Sequence, residues 1–219
     1  MMYKSVMFDM DGTFIDSRPL HARLFYEFFK KNANEMSYER CYELVGTTVR
    51  TLFSEDGIKD EEQERYFGLL NEFYDAESGK LVPLTHAAEG FRELLIYLKE
   101  RNVITIVVTN SLNCIVDKFM TYYGFKDLFT EIMGADKNSH DKTERCGMLL
   151  KKYGLKPSEV IYVGDTETDM ELARLMGFDA CFAKTPIAWY HDAEKLAREY
   201  RPEITVTDFK QLYDHFKSI

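Results

Sequence analysis

The sequence predicts an α/β chain: a parallel sheet with helices on both faces, interrupted near its start by an all-helical insertion. Three features carry this expectation. Short runs of consecutive apolar residues recur, and the strongest end in polar side chains. Between them, apolar residues repeat at i, i+3, i+4 and i+7. Residues 17–82 show the helical repeat alone. Strands that are apolar throughout need cover on both faces, and alternation with helices supplies it.

The first strand is expected at residues 3–8, running into Asp9-Met10-Asp11-Gly12-Thr13. The second is Ile104-Thr105-Ile106-Val107-Val108, ending in Thr109-Asn110-Ser111, and the third is Val160-Ile161-Tyr162-Val163, ending in Gly164-Asp165. Weaker strand signals lie at residues 131–133, 180–183 and 204–206. Helices are expected where Phe91, Leu94, Leu95 and Leu98 share a face, and likewise Cys146, Leu149, Leu150 and Tyr153. Leu172, Leu175 and Met176 mark another, and Phe209, Leu212, Tyr213 and Phe216 a last one, with Asp208 as its N-cap. Gly154 and Gly177 follow two of these stripes and read as helix stops. In the insertion, Leu20, Leu24 and Phe28 form one stripe and Tyr66, Leu69, Leu70 and Phe73 another; both read as core packing. The expected division is a core of residues 1–16 and 83–219 and a helical domain of residues 17–82.

The chain has 219 residues and 45% apolar content, enough for one large domain or one domain with an insertion. Its net charge is −9, which argues against a general nucleic-acid or membrane-surface binder. No apolar run approaches the roughly 18 residues of a membrane span. The first apolar stretch is broken by Asp9 and Asp11, so no secretory signal is read, and a cytoplasmic protein is expected. Cys41, Cys114, Cys146 and Cys181 have no CxxC spacing and are expected to be reduced thiols, buried or half-buried.

Parallel sheets of this kind bind ligands beyond the carboxyl ends of their strands. The polar residues at those ends are therefore the candidate site. Asp9 and Asp11 flank one residue, and Gly12 permits a tight turn. Two neighbouring carboxylates ionise together only beside a cation, or else one keeps a proton. One can then attack phosphorus while the other works as general acid and base. Gly164-Asp165-Thr166-Glu167-Thr168-Asp169 supplies further carboxylates, with a plain helix cap as the alternative for Asp165 and, more strongly, for Asp169. Hard oxygen donors without clustered His or Cys suit Mg2+ rather than zinc.

These residues resemble the motifs of the haloacid dehalogenase superfamily. Asp9-x-Asp11-Gly12-Thr13 looks like its first motif, Thr109 its second, Lys142 its third, and Gly164-Asp165-x-x-x-Asp169 its fourth. The order and spacing match over nearly the whole chain. The helical insertion is similar to the family's C1 cap, and Asp16-Ser17-x-x-x-His21 adds to a likeness with phosphoglycolate phosphatase and β-phosphoglucomutase.

The resemblance implies a Rossmann-like core and a Mg2+-dependent phosphatase working through an aspartyl-phosphate. Asp9 would be nucleophile and metal ligand. Asp11 would be general acid and base, with its main-chain carbonyl on the metal. Asp165 would be a metal ligand supported by Asp169. Thr109, Asn110, Lys142 and the main chain at Gly12 would hold the phosphoryl group. Lys142 is followed by Thr143 where many relatives have proline, and Lys137 is a rival for its role. His21 and Arg50 are candidate substrate contacts of the cap; His21 could instead be packing against aromatics and Arg50 a surface residue. A second carboxylate beside the nucleophile suits a leaving alkoxide that needs a proton, which favours a phosphatase over a dehalogenase. The expected partner is a small phosphorylated metabolite, with no nucleic acid or membrane, and the expected state is a monomer or small homo-oligomer. A phosphosugar mutase is the alternative, and a phosphonoacetaldehyde hydrolase a more distant one.

Overall fold

In the computed structural model, described over residues 3–135, 141–190 and 192–219, the first strand, β1 (Ser5–Phe8), is buried along its whole length. A turn leads to β2 (Ile15–Asp16). Four helices follow: α1 (Arg18–Asn32), α2 (Tyr38–Leu44), α3 (Val49–Glu55) and α4 (Asp60–Leu81). The short β3 (His86–Ala87) precedes α5 (Phe91–Glu100), β4 (Ile104–Leu112), α6 (Asn113–Tyr123) and β5 (Glu131–Ala135). Then come α7 (Lys142–Tyr153), β6 (Val160–Gly164), α8 (Glu167–Met176), β7 (Asp179–Ala183), α9 (Ala193–Tyr200), β8 (Ile204–Val206) and α10 (Phe209–Ser218).

The chain divides into two compact units: the segment through Asp16 with Ala87–Ile219, and Ser17–His86. The second boundary falls beyond residue 82, because Val82 is buried and the 3-10 turn Val82–Leu84 carries straight on from α4.

In the first unit, six strands form one sheet in the order β5-β4-β1-β6-β7-β8, with every pairing parallel. β1 lies between β4 and β6, and the chain builds outward from it first on one side and then on the other. Such a reversal of strand order opens a crevice at the carboxyl ends of the strands. Strand alternation sorts the core by face. Met7, Ile106, Val108, Tyr162 and Phe182 pack with Cys146 and Leu149 of α7, Met170 of α8 and Leu196 of α9. Phe8 points the other way, into an aromatic cluster in which Phe91 stacks on Phe14 at 4.1 Å and meets Phe209 at 4.9 Å.

Helix ends follow their sequence signals. Gly124, Gly154 and Gly177 close α6, α7 and α8 in the left-handed conformation. Asp208 accepts from the Gln211 N–H and caps α10. Leu175, expected on a buried stripe, is 67% exposed.

In the second unit, Leu20, Leu24 and Phe28 are buried on α1, as their spacing predicts. On α4 the buried positions are Gln63, Leu70, Tyr74 and Ser78, with Tyr66, Leu69 and Phe73 only partly covered. Two of the four inward positions on α4 are polar, so its apolar stripe alone mispredicts its facing. Cys41, Cys146 and Cys181 are buried and Cys114 is half-buried.

Candidate active site

The carboxyl ends of β1, β4 and β6 are neighbours in the sheet, and each delivers polar side chains to the same place. Asp9 leaves β1 with its N–H bonded to Val163 O at 2.9 Å, which ties the first acidic residue to β6. Thr13 then bridges the two strand ends. Its hydroxyl lies 2.7 Å from Asp165 Oδ1 and 3.4 Å from Asp9 Oδ2. Among the described residues, Asp9, Asp165 and Asp169 offer oxygen atoms that all lie within 4.8 Å of one another.

Lys142, the first residue of α7, enters this cluster. Its Nζ is 2.6 Å from Asp9 Oδ1 and 2.9 Å from Asp169 Oδ1. Burial alone would lower its pKa, but Asp169 and Asp9 outweigh that and hold it well above its ordinary value, so it stays charged. Burial pushes Asp9 up to about 7 against the pull of Lys142, with Asp169 and then Asp11 adding to the rise. Burial, Asp169 and Asp9 together drive Asp165 well above the usual carboxylate range. Lys142 thus pairs with two of the three clustered carboxylates, Asp9 and Asp169, and one ammonium faces three acids. Oxygen donors in that charge state fit a divalent cation, which would draw these pKa values down again.

Asp169 plays a double part. Its Oδ2 accepts from the N–H groups of Asp165 and Thr166 and from the Thr166 hydroxyl, which makes it the N3 partner of a capping box at the start of α8. Its Oδ1 faces Lys142. Thr166, rather than Asp165 or Asp169, is the N-cap of α8. Gly164 makes this fit possible: a Cβ there would lie 2.4 Å from Asp169 Cβ.

Asp11 is turned toward β4. Its Oδ2 accepts from the Ser111 hydroxyl at 2.7 Å and the Thr109 hydroxyl at 3.2 Å. The geometry therefore separates the two acids of the first motif, Asp9 toward the carboxylate cluster and Asp11 toward the hydroxyls. Gly12 differs from its expected role. Its N–H closes the turn onto Ile15 O at 2.9 Å instead of standing ready for a phosphoryl group. Its φ of +77° and its lack of a side chain are what the site requires, since a Cβ would meet Asp165 Oδ2 at 2.6 Å and the Trp189 ring at 2.7 Å.

Asn110 is exposed beside Thr109, and its side-chain oxygen accepts from Arg145 Nη2 at 2.8 Å. Lys137 lies outside the described residues. In the second unit, His21 is buried, with its ring stacked on Tyr74 and its Nδ1 3.2 Å from the Tyr74 hydroxyl. Arg50 is exposed and pairs with Glu64 at 3.3 Å, the bland alternative foreseen for it.

Three residues of the site escaped the sequence reading, and Ser111, one of the polar residues expected at the end of β4, had no role assigned to it. Ser111 holds Asp11. Tyr162 donates to Val108 O and lies 3.5 Å from Asp169 Oδ1. Arg145, fully buried, donates to Thr109 O at 2.6 Å and fixes the end of β4. Trp189 donates its main-chain N–H to Asp165 Oδ2 at 2.5 Å. Arg145 falls three residues after Lys142, on the same face of α7, and that spacing was the one local signal available.

Comparison with known proteins places the chain in a family. The chain is 28% identical over 218 residues to phosphoglycolate phosphatase 1 of Pseudomonas aeruginosa, covering 94% of this chain and 77% of that protein. It is 23% identical over 215 residues to pyrophosphatase PpaX of Oceanobacillus iheyensis, covering 97% of this chain and 96% of that one. A solved haloacid dehalogenase-like family hydrolase from Streptococcus pneumoniae superposes with a TM-score of 0.82 at 18% identity, over 98% of this chain and 99% of its own. The family model for haloacid dehalogenase-like hydrolases matches residues 6–183, which span the first five strands of the central sheet and every acidic residue of the cluster; the chain belongs to that family.

Proposed function

We propose that the protein is a divalent-cation-dependent phosphatase acting on a small phosphorylated metabolite through a covalent aspartyl-phosphate on Asp9. The observation that carries this reading is the buried cluster of Asp9, Asp165 and Asp169 around Lys142, with Asp11 held apart from it by Ser111 and Thr109. The relatives named above as phosphatases act on small phosphates, which supports the substrate class.

Asp9, Asp165 and the main-chain carbonyl of Asp11 would hold the cation, with Asp169 supporting them, and Mg2+ suits an all-oxygen set. When bound, the cation neutralises carboxylate and phosphoryl charge, letting an anionic nucleophile approach an anionic substrate. Asp9 attacks phosphorus, the phosphorus–oxygen bond to the leaving group breaks, and Asp11 delivers a proton to that oxygen. Water then attacks the phosphoryl group on Asp9, Asp11 accepts the water's proton, and inorganic phosphate leaves. Lys142 steadies charge on Asp9 and the phosphoryl oxygens throughout. Thr109 and Asn110 offer donors at the end of β4.

Hydrolysis of p-nitrophenyl phosphate tests the reading. Activity is expected with Mg2+ and lost in excess chelator. Asp9→Asn is expected to reduce kcat by at least about 10⁴-fold with its thermal melt retained, since the nucleophile's charge is removed and its volume kept. Turnover retained by that variant would refute the nucleophile assignment. A screen in which 2-phosphoglycolate, pyrophosphate and hexose phosphates are compared by kcat/KM would then rank substrates. Dependence on a sugar bisphosphate would instead mark a phosphosugar mutase.

A further inference from the structure

Trp189 is the single tryptophan of the chain. It lies after β7, on a segment anchored at several points. The Lys184 N–H bonds Val206 O at 2.8 Å, and the Ala188 N–H closes a turn on Thr185 O. The Tyr190 ring packs edge-on against Phe182 at 5.4 Å. Between these anchors the Trp189 main chain donates to Asp165 Oδ2, while Thr13 donates to Asp165 Oδ1. Each oxygen of Asp165 therefore has one fixed donor, and the plane of the carboxylate is set. The indole meanwhile presses on Gly12, close enough that a Cβ at that position would lie 2.7–2.8 Å from its ring atoms.

We propose that Trp189 is a positioning residue of the cation site: its indole, seated on Gly12, holds the main-chain N–H that orients Asp165, and forms a wall of the carboxylate cluster. This rests on the reading of Asp9, Asp165 and Asp169 as a divalent-cation site. The indole works through geometry, so its truncation affects cation affinity first and the chemical step little. Residues that orient a metal ligand through a hydrogen bond typically control affinity by about 10- to 100-fold. The same placement makes Trp189 an internal reporter, because a cation arriving at Asp165 changes the field at the neighbouring ring.

The experiment titrates cation-free protein with Mg2+, reading heat by calorimetry and emission from Trp189 in parallel. Wild type is expected to give a saturable heat and an emission change with the same midpoint. Trp189→Ala is expected to weaken Mg2+ binding by about 10-fold in calorimetry, and Trp189→Phe, which keeps a flat ring over Gly12, by no more than about three-fold. In assays the Ala variant needs correspondingly more Mg2+ for half-maximal rate, while kcat at saturating Mg2+ stays within about three-fold of wild type. Equal Mg2+ affinity in wild type and a folded Ala variant overturns the proposal. So does a wild-type heat that saturates while emission stays constant, and this second measurement decides the matter if the Ala variant does not fold. Wild type giving no heat at all overturns the cation-site reading itself, a result distinct from equal heats in wild type and variant.

Discussion

Two hydroxyls aimed at one oxygen of Asp11 single that side chain out within the site. They hold it on the β4 side while Lys142 and Thr13 hold Asp9 on the β6 side, so the paired acids of the first motif occupy different surroundings. If Asp11 protonates the leaving group, its importance scales with how badly that group needs a proton. Asp11→Asn is expected to lower kcat/KM for alkyl phosphates by about 10²- to 10⁴-fold, and for p-nitrophenyl phosphate by less than about 10-fold. kcat/KM reports steps up to departure of the leaving group, so equal losses for the two substrates would contradict the leaving-group role. Asp9, Asp11 and Asp165 were candidates in the sequence because each follows an apolar strand run, whereas Lys142 came from the family resemblance alone. Tyr162, Arg145 and Trp189 were not candidates, and Ser111 was marked only as a polar strand end, because what gives each its place is a partner remote along the chain. Arg145 reaches Thr109 across 36 positions and Trp189 reaches Asp165 across 24.

At the level of the element, β6 and α8 act as one device. Gly164 ends the strand, Thr166 caps the helix, and Asp169 sits over Gly164 with its carboxylate on the helix N-terminus and on Lys142. Gly164→Ala would put a methyl group into the Asp169 side chain. The first turn of α8 would have to move, at a cost of about 1–3 kcal/mol. Melting is expected to fall by about 3–10 °C in circular dichroism scans. An unchanged Tm would show that the turn absorbs the methyl group without strain. Elements differed in how plainly the sequence announced them. The central strands were legible because a buried parallel strand is a continuous apolar run. α6 has an apolar face but no side-chain N-cap, whereas α9 is capped by Asp192 but has Leu196 as its one buried residue, so each carried half of the usual helix signal. β4 runs on to Leu112, past the apolar run at residues 104–108, since its polar end still pairs with β5.

For the molecule as a whole, pH-dependent stability follows from carboxyl groups held above their ordinary values. Asp56, at the end of α3, belongs to the helical unit and lies away from the acidic cluster in sequence. Burial pushes it up to about 6, while the Asn34 N–H pulls the other way. Below about pH 4 the folded and unfolded chains both hold this proton, and the group has no effect. As pH rises from about 4 to 6 the unfolded chain releases the proton first. Stability therefore declines over that window and stays reduced above it. Asp56→Asn keeps an acceptor for Asn34 and removes the charge. It is expected to raise stability by about 1 kcal/mol at pH 8, a Tm gain of about 2–4 °C, and to change nothing at pH 3.5. Equal gains at both pH values would rule out burial of the charge as the cause. The strand repeat is absent from residues 17–82, which fall within the unit Ser17–His86. The unit runs on to His86, because the 3-10 turn Val82–Leu84 continues directly from α4 past Pro83.

The acidic centre is assembled from remote stretches of chain. Asp11 and Thr109 are 98 positions apart, Asp9 and Lys142 are 133, and Thr13 and Asp165 are 152. During synthesis, therefore, a growing chain carries Asp9 and Thr13 from almost the first residues, but Lys142 and then Asp165 and Asp169, which complete the cluster, emerge only much later. If Asp9 is the nucleophile and Asp165 a cation ligand, as proposed, a chain cut before residue 165 lacks part of the site and is expected to be inert in the p-nitrophenyl phosphate assay.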